Sequence, residues 1–213
     1  MEDREPYILG TDEEELKRLK TQHNVWKSET IKGWSLAEFK LGDVILDLGS
    51  GPGPGGSGQN WFTKTYRERG IVFDRVLAWE AKLYTPEQWL STLPLDVHDV
   101  VSFYNVAVDP SLGSRNNPLR VLQTLAHPND FVVLKLDIDN CEVEEELVHQ
   151  ILNDSTLSTL IDELYWEHHV QMSPMQYKGW GLHINRYTNQ TLASSYKLFR
   201  SLRTQGIRAH SWI

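Results

Sequence analysis

A single cysteine, Cys141, stands in 213 residues, which excludes a disulfide framework within the chain and any cysteine-based zinc cage. Lysine- and arginine-rich runs are also missing. Twenty-one basic residues face 29 acidic ones, for a formal net charge of −8 and a pI near 5.5. That balance repels a phosphate backbone, so no nucleic-acid partner is expected. No stretch approaches the roughly 18 apolar residues of a membrane span, and the opening Met1-Glu-Asp-Arg-Glu has no apolar signal region. Asn153-Asp-Ser and Asn189-Gln-Thr match the glycosylation pattern but mean nothing without a secretory signal. The absences predict a cytoplasmic protein with no membrane partner, and they leave its oligomeric state open. No internal repeat of 20 to 50 residues is visible.

What is present suits one α/β domain with a full core and is short for two. Residues are 40% hydrophobic and 23% charged, and the eight tryptophans promise a large aromatic share of core or pocket. The most informative stretch is Asp43-Val-Ile-Leu-Asp-Leu-Gly-Ser-Gly-Pro-Gly53. An apolar run closes on Asp47 and breaks into alternating glycines, as a buried parallel strand does when its backbone must approach a ligand. Gly49, Gly51 and Gly53 permit positive φ and lack the Cβ that would meet a nucleotide-like molecule. The helix that follows directs free N–H groups at the same spot.

The pattern along the chain predicts an N-terminal helical stretch from Thr11 or Asp12, with Leu16, Leu19, His23 and Trp26 on one face. A short helix over 35–39 leads into a strand at 43–48. Helices are predicted at 59–69, from Thr85, at 118–126, 142–152 and 191–204. Strands are predicted at 73–80, 100–108, 131–138, 163–170 and 207–213. This alternation implies a doubly wound parallel sheet whose ligand lies beyond the carboxyl ends of the strands. Six of the ten residues from Gly49 to Gly58 are glycine, and residues 54–58 have the composition of a flexible linker.

Tyr7-Ile-Leu-Gly, Glu15-Leu-Lys-Arg-Leu, Gln22-His-Asn-Val-Trp26 and Ile45-Leu-Asp-Leu-Gly-Ser-Gly-Pro-Gly53 make residues 1–53 similar to small-molecule, S-adenosylmethionine-dependent methyltransferases of the ubiquinone-biosynthesis type. Residues 61–213 resemble FkbM-type methyltransferases through Val76-Leu-Ala-Trp-Glu80, Tyr104-Asn-Val-Ala-Val108, Val133-Leu-Lys-Leu-Asp-Ile-Asp139 and Glu163-Leu-Tyr-Trp-Glu167. FkbM proteins usually carry Lys-x-Asp-x-Glu-Gly at the fourth strand, where this chain has Asp139-Asn140 in place of Glu-Gly. Together the resemblances imply the Rossmann-like class I methyltransferase fold, seven-stranded with an antiparallel last strand. They divide the chain into a helical cap (1–40) and a cofactor-binding domain (41–213). Two branches meeting at the glycine joint have the look of a chimera, natural or built.

The cofactor implied is S-adenosylmethionine and the partner a small-molecule substrate. The resemblance places Gly49, Ser50, Gly51, Gly53 and Asp47 at the amino-acid end of the cofactor, Asp47 being otherwise a strand-end or helix-capping acid. Glu80 ends the second strand, where a carboxylate can accept from both ribose hydroxyls. Ala81 and Val106 are candidates to flank the adenine, which belongs near 105–109. Asp137 and Asp139 share one face at the end of the fourth strand. With Asn140 they could hold a magnesium ion, or serve as ordinary strand-end acids. No metal ligand is assigned. Glu167, His168 and His169 end the fifth strand, and adjacent histidines point to opposite faces, so at most one meets the pocket. Asp137 and His168, the latter a general base for a hydroxyl, are the candidate catalytic residues. Tyr177, Trp180 and His183 are expected to wall the substrate.

Overall fold

The apolar run after Asp43 forms strand β1 (Val44–Leu48), and all five side chains are buried. The computed structural model describes residues 42–51, 58–91, 93–171, 173, 175 and 190–212. The expected helical cap at 1–40, Gly53, most of the linker-like stretch, and Tyr177, Trp180 and His183 lie outside the described residues.

Beyond β1 the chain runs through α1 (Gly58–Arg67), β2 (Arg75–Trp79), α2 (Pro86–Leu90), a 3-10 turn (Leu95–Val97) and β3 (Val101–Tyr104). It continues through α3 (Pro118–Leu125), β4 (Val132–Leu136), α4 (Cys141–Asn153), α5 (Ser155–Ser158), β5 (Glu163–Trp166), α6 (Leu192–Thr204) and β6 (Arg208–Ser211). Local chemistry sets these boundaries. Thr85 and Gln88 form a reciprocal capping box with Pro86 in the first turn of α2. Asn117, Asn140 and Thr191 cap α3, α4 and α6 with their side chains. Gly70, at φ +83°, lets the chain leave α1.

Among the described residues the strands form a six-stranded sheet in the order β3-β2-β1-β4-β5-β6, with every pair parallel. This is a Rossmann-like, doubly wound α/β arrangement. The expected antiparallel last strand is overturned. Helix α6 intervenes between β5 and β6 and carries the chain back, so β6 re-enters in the same direction as β5. An antiparallel neighbour needs a return without such a crossover. The third strand also stops earlier than the pattern predicts, because Asn105 leaves the ladder. Its Nδ2 donates to Glu80 O and Lys82 O, and its Oδ1 accepts from Tyr84 N.

The two faces of the sheet differ in chemistry. On one, Val44, Leu46 and Leu48 join Leu77, Trp79, Leu134, Leu136, Leu164 and Trp166 under α3, α4 and α6 in an apolar cluster, with the buried Glu144 of α4 bonded to Trp166 at its edge. The other face carries buried polar groups in register. Asp47 lies opposite Lys135, Lys135 opposite Tyr165, and Tyr165 opposite His210. One row further down, buried Glu163 accepts from Tyr66 of α1 and from Tyr165 Oη (3.1 Å), and pairs with Arg208 Nε at 3.0 Å. Phe62 and Tyr66 complete the layer, with the Phe62 ring 4.9 Å from Tyr165. Helix α1 is thus fastened to β5 by a charge-assisted hydrogen bond rather than by apolar contact alone. Tyr66→Phe should cost about 1.5–3 kcal/mol in urea unfolding, the worth of a hydrogen bond to a charged group. A loss below about 0.5 kcal/mol would show that Arg208 and Tyr165 satisfy Glu163 without it.

Candidate active site at the strand ends

The glycine turn after β1 is held by four hydrogen bonds to three residues. The N–H groups of Gly49 and Ser50 both donate to Trp79 O, at 3.1 and 3.0 Å. Ser50 O accepts from Trp89 Nε1 (2.9 Å), and Gly49 O accepts from Lys135 Nζ (3.3 Å). Gly49 sits at φ +88°, and a Cβ there would fall 1.5 Å from Asp137 O. Glycine is therefore demanded at 49 by the backbone of the neighbouring strand end. Gly51 differs. A Cβ there would lie 3.4 Å from Glu80 Oε2, and the residue faces open space.

That space is a cleft of about 450 Å³ beyond the carboxyl ends of β1, β2 and β4, where chain direction across the sheet switches. Gly49, Gly51, Trp79, Glu80 and Ala81 form one side, Val106, Ala107 and Val108 another, and Asp137 to Asn140 with Val143 the third. Glu80 is half-buried, with Oε1 accepting from Lys82 N at 2.7 Å. The Asn105 clamp holds residues 80–84 against the end of β3 and so sets the distance between Glu80 and Val106.

Beneath the cleft lies Lys135, 1% exposed, with Nζ 3.2 Å from Asp47 Oδ1 and 3.0 Å from Asp137 Oδ2. Burial pushes the ammonium pKa down, but the two carboxylates outweigh it and the net direction is up. Burial likewise pushes Asp137 up, and Lys135, with side-chain hydrogen bonds from Glu167 and Trp212, brings it below the usual carboxylate range. Asp139 follows at φ +56°. The intervening Ile138 N–H donates to Glu144 Oε1 (2.9 Å), and Trp166 Nε1 donates to Glu144 Oε2 (3.1 Å). Burial raises Glu144 to about 7 despite these two donors.

At the end of β5, His168 turns toward Ser195 of α6 and His169 lies beside Asp139 and Glu167, and neither ring lines the cleft. His168 stacks on Trp166 at 3.8 Å, and its Nδ1 lies 3.0 Å from Ser195 Oγ of α6. Burial, with a smaller push from His169, lowers it to about 3, so the ring is neutral at physiological pH. It does not line the cleft. The partner histidine, His169, is 1% exposed and has Nε2 3.7 Å from both Asp139 Oδ1 and Glu167 Oε2.

Of the residues singled out from sequence, Gly49, Gly51, Glu80, Ala81, Val106 and Asp137 line one cleft. Ser50 and Asp47 lie fully buried and support the turn from behind. Sequence reasoning did not single out Lys135 or Glu144. An isolated lysine inside the run Val132–Leu136 was the available signal for the first, since a buried lysine requires an acid beside it. No family model and no curated protein matches this chain.

Two consequences are measurable. Lys135→Met leaves the buried Asp47 and the neighbouring Asp137 without their shared cation, and should destabilise the fold by about 3–5 kcal/mol at pH 7. Asp47→Asn in the same background should recover part of that loss, and equal stability of Lys135→Met and the parent chain would refute the coupling. Glu144 has a folded pKa above its ordinary 4.5, so its contribution is fully present below pH 4.5 and is lost as pH rises through about 7. The loss is about 3 kcal/mol over that window. Unfolding free energies measured from pH 4.5 to 8 should fall more steeply for the parent chain than for Glu144→Gln. Parallel profiles would contradict it.

Proposed function

We propose that this chain is a cytoplasmic S-adenosylmethionine-dependent methyltransferase acting on a small molecule, with a hydroxyl oxygen as acceptor. The observation that carries the reading is the assembly of Gly49, Gly51, Glu80, Ala81 and Val106 in one cleft at the switch point of a doubly wound sheet. Those residues were picked from sequence on cofactor chemistry, and they come from three separate strand ends.

The residues fit the cofactor's parts. Gly51 leaves the backbone bare where the amino-acid end would approach, and a larger side chain there would grow toward Glu80. The Glu80 carboxylate, pinned through Oε1 by Lys82 N, is oriented to accept from ribose hydroxyls. Ala81 and Val106 to Val108 offer apolar surface for the adenine. Asp47, paired with Lys135 beneath the turn, acts as a positioning residue instead of a direct partner of the cofactor's ammonium group. Bound S-adenosylmethionine supplies a methyl carbon activated by its sulfonium. The chain's own task is then alignment and exclusion of water. Asp137 lines the cleft, and with Lys135 holding its carboxylate ionised it can orient an acceptor hydroxyl by accepting its hydrogen bond, a part His168 cannot play from its position against Ser195.

A second reading rests on the strand order, which with six parallel strands is that of dinucleotide-binding sheets. Thermal melts in S-adenosylhomocysteine and in NAD separate the two. S-adenosylhomocysteine should raise the melting temperature by mass action and NAD should not. Glu80→Gln should weaken S-adenosylhomocysteine binding by roughly tenfold to a hundredfold in calorimetric titration, equivalent to about 1.5–3 kcal/mol. Folding stability should move by less than about 0.5 kcal/mol. Stabilisation by NAD alone would replace this proposal with the dinucleotide reading. Tight S-adenosylhomocysteine binding with no methyl transfer would reduce it to a non-catalytic cofactor-binding protein.

A further inference from the structure

The carboxyl ends of β4 and β5 bring together a second set of groups that cofactor binding does not use. Asp139, Glu167 and His169 each direct one ligand atom into a common space, and these atoms lie within 4.8 Å of one another. Two separate strand ends supply them, so the convergence is tertiary and is not an accident of neighbouring residues in one loop. The centre of the set is an imidazole. His169 is 1% exposed, and its Nε2 stands 3.7 Å from a carboxylate oxygen on either side. That spacing is too long for a hydrogen bond. A nitrogen and an oxygen bound at about 2.1 Å to one ion stand roughly 3.0–3.4 Å apart, so small side-chain adjustments would close the set on a cation. Charge favours the same outcome. Asp137 adds a further carboxylate at the end of β4, and its cation Lys135 is already shared with Asp47.

We infer that Asp139, Glu167 and His169 form a binding site for a divalent first-row transition ion at the rim of the cleft. One buried imidazole with two carboxylates suits manganese to zinc better than magnesium or calcium, which take oxygen ligands throughout. Three protein ligands leave coordination positions open, as in sites where an ion acts on a substrate. Asp139 also lines the cleft, so an open position faces the space where an acceptor would stand. An oxygen donor placed there would have its hydroxyl pKa lowered by the ion. Ion binding stands by itself, whereas that role in methyl transfer rests on the function proposed above.

The test is manganese(II) binding to the full chain, followed by electron paramagnetic resonance and calorimetry without any nucleotide. One ion per chain should bind saturably, and pulsed spectra should show coupling to one imidazole nitrogen. Asp139→Asn alters an exposed residue whose left-handed backbone asparagine also adopts. It should weaken binding at least about tenfold with an unchanged melting temperature. His169→Gln should abolish the nitrogen coupling. Absence of saturable binding at millimolar manganese, or binding indifferent to Asp139→Asn, would overturn the inference. S-adenosylhomocysteine titration without metal keeps the two ideas apart. Nucleotide binding without ion binding removes only the metal site, and ion binding without nucleotide binding removes only the methyltransferase reading.

Discussion

A single buried ammonium organises the functional end of this sheet. Lys135 Nζ meets Asp47, Asp137 and the carbonyl of Gly49 within 3.3 Å, and so ties β1, β4 and the glycine turn to one point. Taking a lysine and an aspartate out of water costs several kcal/mol per ion, and only good geometry with more than one partner offsets it. The parallel register meets that need by setting Asp47 directly opposite Lys135. Two residues further along the same face, Asp137 reaches back from the end of β4. Apolar residues at both 47 and 135 would pack more cheaply but would leave the strand ends unregistered by charge. The glycine turn would lose one of its four fastenings.

The division of the sheet into an apolar and a polar face follows from where the helices lie. Under α3, α4 and α6 the strands present Val, Leu and Trp, as a surface closed by three helices must. The opposite face carries Asp47, Lys135, Glu163 and Tyr165; Lys135 pairs with Asp47 across the strands, and Glu163 is met by Tyr66 of α1, Tyr165 and Arg208. Buried polar groups of this kind are tolerated only as completed networks. Here Glu163 gathers Arg208, Tyr66 and Tyr165, and the Tyr165 ring packs edge-on against Phe62 and Trp212.

How much was legible from sequence depends on whether the deciding partner was near in the chain. The strand–glycine motif, Glu80 at the end of β2 and the helix starts near 85, 118, 142 and 191 are local patterns, and the structure carries them close to where the pattern puts them. The predicted site residues from β1, β2 and β4 meet because a doubly wound sheet aligns its carboxyl ends. Other features depend on distant groups. The choice between His168 and His169 turned on Ser195, 27 residues away, which draws His168 behind the strand. Asp47 read as a ligand for a cofactor until the opposite strand supplied its lysine. The last strand's direction was set by a crossover helix, and the end of β3 by a clamp from Asn105 to residues 80, 82 and 84. The glycine at 49 was recognised correctly as special. Its reason was different: Asp137 O occupies the place of its Cβ.

These constraints fall unevenly on the two sides of the cleft. On the β1–β3 side the walls are fixed by backbone. Trp79 O takes two N–H groups of the turn, Trp89 holds Ser50, and Asn105 holds the stretch after Glu80. Most of these bonds join uncharged groups, with the Lys135 bond to Gly49 O the charged exception. On the β4–β5 side the positions of Asp137 and the Ile138–Asn140 turn depend on Lys135, Glu144 and Glu167, all charged or chargeable groups. Glu144 sits near neutrality with both oxygens engaged, so gain or loss of one proton alters how firmly the Asp139 turn is held. A rigid wall suits recognition of an invariant molecule, and a charge-set wall can be retuned by single substitutions. On the function proposed above, the glycine side would take the cofactor and the side of the acids the acceptor.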